Sequence, residues 1–136
     1  MHEITFLELR IFDSTARLGA HHLASMFLRA GWRVNWMVNA VSVFNAVKPD
    51  GGRKEEFRHR MGHVSWKTEI APGLTEYIPV SLLPYKTGYP LFSARAMAHA
   101  SRIFSIPPIP TGIRRPGGDG IVWLDYPEMW HIYECM

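Results

Sequence analysis

The chain predicts an α/β domain, an open parallel sheet with flanking helices. Three observations lead there. Two short apolar runs, Ile4 to Leu9 and Ile121 to Leu124, have the make-up of buried strands. A segment with helical spacing follows the first run and is closed by Gly31. A second strand-like run begins two residues later, so the order is strand, helix, strand.

Ile4 to Leu9 (ITFLEL) reads as a buried strand with Glu8 near its end. Arg10 to Gly19 is polar, holds Asp13, Ser14, Thr15 and Gly19, and reads as a loop. From Ala20 to Ala30 the residues Ala20, Leu23, Ala24, Phe27 and Ala30 share one helical face. Arg29 suits the negative end of that helix. Arg33 to Val38 (RVNWMV) reads as the second strand, and a crossover of about a dozen residues is what parallel pairing requires.

The middle of the chain carries weaker signals. Lys48 to Arg60 is charged and Gly-rich and reads as an exposed excursion. His63 to Ile70 and Leu74 to Val80 read as strands around a Pro72-Gly73 turn. Leu91 to Ile106 has helical spacing, and Pro107 to Gly120 has four Pro and four Gly, as a loop would. Ile121 to Leu124 reads as a buried parallel strand, with a helix starting near Pro127. That helix would reach Met136 before any cap, and a parallel sheet would expect a further strand. This ending reads as the first part of a longer protein, with residues 1–136 forming one domain truncated at its C-terminal end.

Composition removes several classes of function. The 136 residues are 47% hydrophobic and 20% charged, a globular balance. One cysteine, Cys135, excludes an internal disulfide and a thiolate zinc site. No apolar run approaches the roughly 18 residues of a membrane span, and the N-terminus lacks a signal-peptide pattern, so the expected compartment is the cytoplasm. The net charge of +3 is mild, and Arg outnumbers Lys eleven to four. Arg53 to Arg60 mixes four basic and two acidic residues around a single aromatic, which fits a solvated face better than a nucleic-acid surface. No Gly-rich dinucleotide or P-loop motif, zincin motif or nucleophile elbow is present. His21-His22 and the His59/His63 pair are poor metal signals, because neighbours on a helix diverge and no third ligand is near. No metal is expected.

In open α/β sheets ligands bind where strands end and helices begin. The loop after the first strand, Phe12 to His22, gathers Asp13, Ser14, Thr15, Arg17, His21 and His22, and the helix start behind it favours an anion. The same residues also fit an ordinary capped helix start. Asp125, after the last strand, can accept a hydrogen bond from a substrate hydroxyl or cap the helix at Pro127.

Phe12-Asp13, Arg17, His21-His22-Leu23-Ala24 and Leu28-Arg29-Ala30-Gly31-Trp32-Arg33-Val34 together resemble the first βαβ unit of GT-B glycosyltransferases, especially family-4-like enzymes. Trp32 stands where that family usually has His. Gly73-Leu74-Thr75-Glu76-Tyr77, with Pro79 and Leu83-Pro84, is similar to a later segment of the same N-terminal domains, as is Ile121 to Leu124 with Pro127. Bacterial exopolysaccharide glucuronosyltransferases are among the relatives this pattern suggests. The Pro-rich segment Pro107 to Gly118 departs from it.

The resemblance implies a Rossmann-like fold and one half of a two-domain enzyme. The N-terminal half would bind a saccharide or lipid-linked acceptor. A separate C-terminal domain would hold the nucleotide-sugar donor, with no other cofactor. Hexosyl or uronosyl transfer is the implied reaction, with this chain inactive alone. His21 and Asp13 are then the candidate proton acceptors. Arg17, Ser14, Thr15 and Asp125 are candidate substrate contacts. A lipid-linked acceptor would bring the domain to the inner face of the plasma membrane as a peripheral protein, and nucleic acid is not an expected partner. The competing expectation is a non-enzymatic, flavodoxin-like α/β binding or regulatory module.

Overall fold

The computed structural model describes residues 2–14, 19–38, 41–43, 54–62, 65–81, 105–106 and 120–124. It is an α/β arrangement around a five-stranded sheet. The elements are β1 (Glu3–Glu8), α1 (Gly19–Arg29), β2 (Arg33–Val38), β3 (Val41–Ser42), α2 (Lys54–Met61), β4 (Lys67–Ala71), β5 (Leu74–Tyr77), β6 (Val80–Ser81), β7 (Ser105–Ile106) and β8 (Ile121–Leu124). The large sheet has the order β4-β5-β2-β1-β8, and β3, β6 and β7 form a small second sheet.

The expected βαβ unit is present. β1 and β2 pair in parallel, with Phe6 opposite Trp36, and α1 packs over them. Four strands of the large sheet are parallel, but β4 runs antiparallel to β5, so the sheet is mixed rather than wholly parallel. The reason is local. Pro72 presets one backbone angle, and Gly73 sits at φ +79°, which turns the chain straight back on itself. The register then slips between Glu69 and Ala71, an irregularity common on sheet edges.

α1 ends in a Schellman motif. Gly31, at φ +81°, donates its N–H to Leu28 O at 3.0 Å, and Trp32 donates to Phe27 O at 3.0 Å. The apolar contact that accompanies this motif is Phe27 against Trp32, ring centroids 4.8 Å apart. Of the expected apolar face, Ala20 and Ala24 are buried and Leu23 and Phe27 pack on the core, while Ala30 lies beyond the helix and is exposed.

The core lies between α1 and one face of the sheet. Its centre is a cross-strand row, Phe6, Trp36 and Glu76, which the part-exposed Trp123 of β8 extends, set by the registers of four neighbouring strands. Phe6 contacts Trp36 at 5.4 Å and Trp123 at 6.3 Å between centroids, and Phe27 of α1 closes on Phe6 at 6.4 Å. Aromatic pairs at these separations add to the stabilisation that area burial gives.

Other expectations need correction. Ile121 to Leu124 is a strand, but Ile121 and Trp123 are each about two-fifths exposed, β8 standing at the end of the strand order among the described residues. Lys54–Met61, which overlaps the end of the expected exposed excursion Lys48 to Arg60, is a helix with Glu56 buried and Phe57 packed on the core. The run Leu74 to Val80 divides into β5 and the start of β6, which belongs to the second sheet. Ser105–Ile106, expected to end a helix, pairs as a strand with β6. The rest of that expected helix, the Pro-rich loop and the helix at Pro127 lie outside the described residues. No helix among the described residues is long and apolar enough to cross a membrane.

Candidate functional site

The strand order changes direction at β1. The chain passes from β1 to β2 on one side, and β8 lies on the other. A crevice outside the C-terminal ends of two such strands is where α/β sheets take ligands. The segment that leaves β1 there is residues 9–14, and it is held by side chains from three separate elements.

Its centre is a tight turn in which Ser14 donates its N–H to Ile11 O at 3.1 Å. Phe12 and Asp13 are the central residues. The His21 ring, from α1, lies 3.3 Å through Nε2 from the same carbonyl. A carbonyl only accepts, so that nitrogen carries the proton. Trp36 of β2 donates its indole N–H to Arg10 O at 2.8 Å. Glu76 of β5 accepts the Phe12 N–H at Oε1, 2.7 Å. The other oxygen of Glu76 lies 3.1 Å from Nε2 of His59 on α2. The turn is therefore fixed by α1, β2 and β5, and through Glu76 it is tied to α2.

Packing reinforces these bonds. His21 is buried, with its ring 4.6 Å from Trp36 and 5.7 Å from Phe12, and Phe12 meets Trp36 edge-on at 5.1 Å. Glu8, at the end of β1 beneath the turn, is also buried. Asp13 stands out from this framework with its side chain exposed.

Three of the expected site residues thus lie together. Asp13 is exposed at the tip of the turn, Ser14 is buried in it, and His21 is buried behind it with its Nε2–H directed at Ile11 O. Thr15, Arg17 and Asp125 lie outside the described residues. His22 is exposed on α1. Among the described residues no three His, Cys, Asp or Glu side chains gather as a metal ion requires.

Sequence reasoning missed Glu76, His59, Trp36 and Glu8 as parts of this site. A signal existed for two of them. Glu8 follows Ile4 and Phe6 at period two, and Glu76 follows Leu74, so each carboxylate sits on the apolar face of its strand. A carboxylate in such a position is seldom fully buried without a partner.

What the arrangement offers chemically is an exposed carboxylate on a backbone that cannot drift. Such a group can accept a hydrogen bond from a ligand hydroxyl and take its proton. Compared with protein-family models, with characterised proteins and with solved structures, the chain gives no match.

Proposed function

We propose that this chain is the acceptor-side part of a glycosyltransferase with a GT-B arrangement, its sheet being the Rossmann-like half that receives the acceptor. The observation that carries the reading is the turn bearing Asp13, pinned at the point where the strand order reverses. The order β5-β2-β1-β8, with the third parallel strand beside the second, supports this over a flavodoxin-like module, in which the third strand lies beyond the first.

In the reaction an acceptor hydroxyl attacks the anomeric carbon of a nucleotide sugar. The new C–O bond forms as the bond to the diphosphate breaks, and the diphosphate leaves with the electron pair. Asp13 takes the hydroxyl proton. His21, buried and bonded to the turn, acts as a positioning residue rather than as a second base. Arg17 and the start of α1 stabilise the charge that develops on the diphosphate. Thr15 and Asp125 contact the acceptor, and Ser14, buried in the turn, holds its shape through its N–H to Ile11 O. The donor sits in a separate C-terminal domain. A lipid-linked acceptor would place the protein at a membrane surface, and the exposed Met26 and Met61 are side chains that can enter such an interface.

The test is sugar transfer by the intact native protein, with UDP-glucose and UDP-glucuronate as donors and a lipid extract of the source cells as acceptor. Asp13→Asn is expected to lower kcat by about 100-fold or more with an unchanged melting transition, the loss that follows removal of a positioned base. Arg17→Ala is expected to abolish transfer without unfolding the protein. Full activity in both variants would refute these assignments, and the absence of transfer by the native protein from either donor would refute the reading itself.

A further inference from the structure

A cleft of about 660 Å³ opens at the other end of the strands, away from the Asp13 turn. It lies between the turn from α1 to β2 and the hairpin of β4 and β5. The volume is within the range, about 300–1,000 Å³, that small-molecule sites occupy. Its floor is the sheet face opposite α1, polar at this end of the strands through Asn35 and Thr75, while Leu7 and Met37 further along the same face are buried and apolar.

The registers place Thr5, Asn35, Thr75 and Glu69 in one row across β1, β2, β5 and β4. Thr5 and Asn35 are buried. Asn35 donates through Nδ2 to Glu3 Oε1 and to Thr5 Oγ1, the latter at 3.3 Å, and its Oδ1 accepts the Tyr77 hydroxyl at 3.4 Å. Burying Thr5 and Asn35 costs free energy that Val or Ile would not, so their hydrogen bonds offset a cost the fold need not have incurred.

We propose that this cleft is a binding site for a neutral saccharide of one or two sugar units. Three features select that chemistry. Charges alternate instead of separating: Glu3 stands beside Arg33 across β1 and β2, and Lys67 precedes Glu69 on β4. The cleft therefore has no cationic pole for a phosphate and no two poles for a zwitterion. It borders Leu28 and Gly31 at the C-terminal end of α1, where the helix dipole disfavours an anion. The lining mixes acceptors, donors and groups that do both, the pattern that a ring of hydroxyls requires. The site is separate from the Asp13 turn, and the proposal stands whether or not the chain belongs to a transferase.

The test is amide NMR of the chain titrated with D-glucose, cellobiose, D-glucuronate and inorganic phosphate. Glucose or cellobiose is expected to shift the amides of Asn35, Thr75 and Tyr77 saturably, and more than glucuronate or phosphate does. Thr75→Val and Lys67→Met remove one hydroxyl and one ammonium group while keeping side-chain bulk. Each is expected to weaken binding about five- to tenfold, as loss of one hydrogen bond would. Thermal melts of both variants check that the fold is kept. The proposal is overturned if neither neutral sugar shifts these amides, if the folded variants bind as the parent does, or if the anions bind more tightly. It is also overturned if the sugar shifts concentrate at Phe12 to Ser14, a result that would place the saccharide at the transferase site instead.

Discussion

Replacing Glu76 is expected to release the turn at the end of β1, and the size of the effect can be worked from the contacts. Glu76 is buried, and its Oε1 accepts the Phe12 N–H at 2.7 Å. A hydrogen bond to a charged group contributes about 1.5–3 kcal/mol net. The contact from Oε2 to His59, whose side chain is a quarter exposed, adds at most about 1 kcal/mol. Glu76→Leu removes both contacts and leaves the Phe12 N–H without its acceptor. The expected loss is about 2–4 kcal/mol, a large share of the roughly 5–15 kcal/mol that holds a domain together. Glu76→Gln keeps a carbonyl oxygen for Phe12 and removes only the charge, so about 1 kcal/mol is expected. Urea unfolding at an unchanged slope measures both values. Hydrogen exchange locates them, since the Phe12 amide should exchange faster in both variants and the amides of β1 should not change until global unfolding. A Glu76→Leu variant within about 0.5 kcal/mol of the parent, or a Phe12 amide that exchanges as before, would refute the pinning argument.

Two further outcomes follow from the sheet itself. Burial first, then the Glu3 carboxylate, raise the Tyr77 pKa above its ordinary value of 10.0, while Arg33 pulls the other way. The folded chain therefore holds this proton longer than the unfolded one, and the stability it contributes is present below about pH 10 and is lost as pH rises through the folded pKa. Phenolate absorbance of the parent minus that of Tyr77→Phe should titrate above the free tyrosine range, and a difference curve at the ordinary value would contradict the reading. Gly73→Ala should destabilise by about 1–2 kcal/mol, because φ +79° strains any residue with a Cβ. The added carbon would meet Leu28 Cδ2 only at 3.7 Å, so a denaturation midpoint equal to the parent's would show that the turn relaxes.

What could be read in the chain, and what could not, divides along the range of the interactions. β1, α1 and β2 are legible because period, cap and turn are local: Phe27, Gly31 and Trp32 carry the helix stop within six consecutive positions. That Asp13, Ser14 and His21 lie together where β1 ends was legible too, since the loop from a strand to a helix at a sheet's reversal point is a general location. The construction of the site was not. Glu76 and Phe12 are 64 residues apart, and nothing near either one announces the other. α2 escaped notice for a related reason. Its segment KEEFRHRM turns a carboxylate, Glu56, toward the interior, so the apolar stripe that marks a surface helix is missing. The exposure of β8 was hidden because burial of a strand depends on its neighbours. IVWL is as apolar as an inner strand, and only the strand order of the described residues places it at the end.

The position of β8 also governs the order of assembly. β1, α1 and β2 emerge from the ribosome together and can pair within their own short span, but β1 receives its other neighbour only when residues 121–124 have been made. At the usual elongation rate of about 5–20 residues per second, the outer edge of β1 waits for several seconds. During that interval Ile4, Phe6 and Leu7 lie along an open backbone edge that any passing strand can join. Until residues 121–124 arrive, pairing of that edge with another chain competes with completion of the sheet.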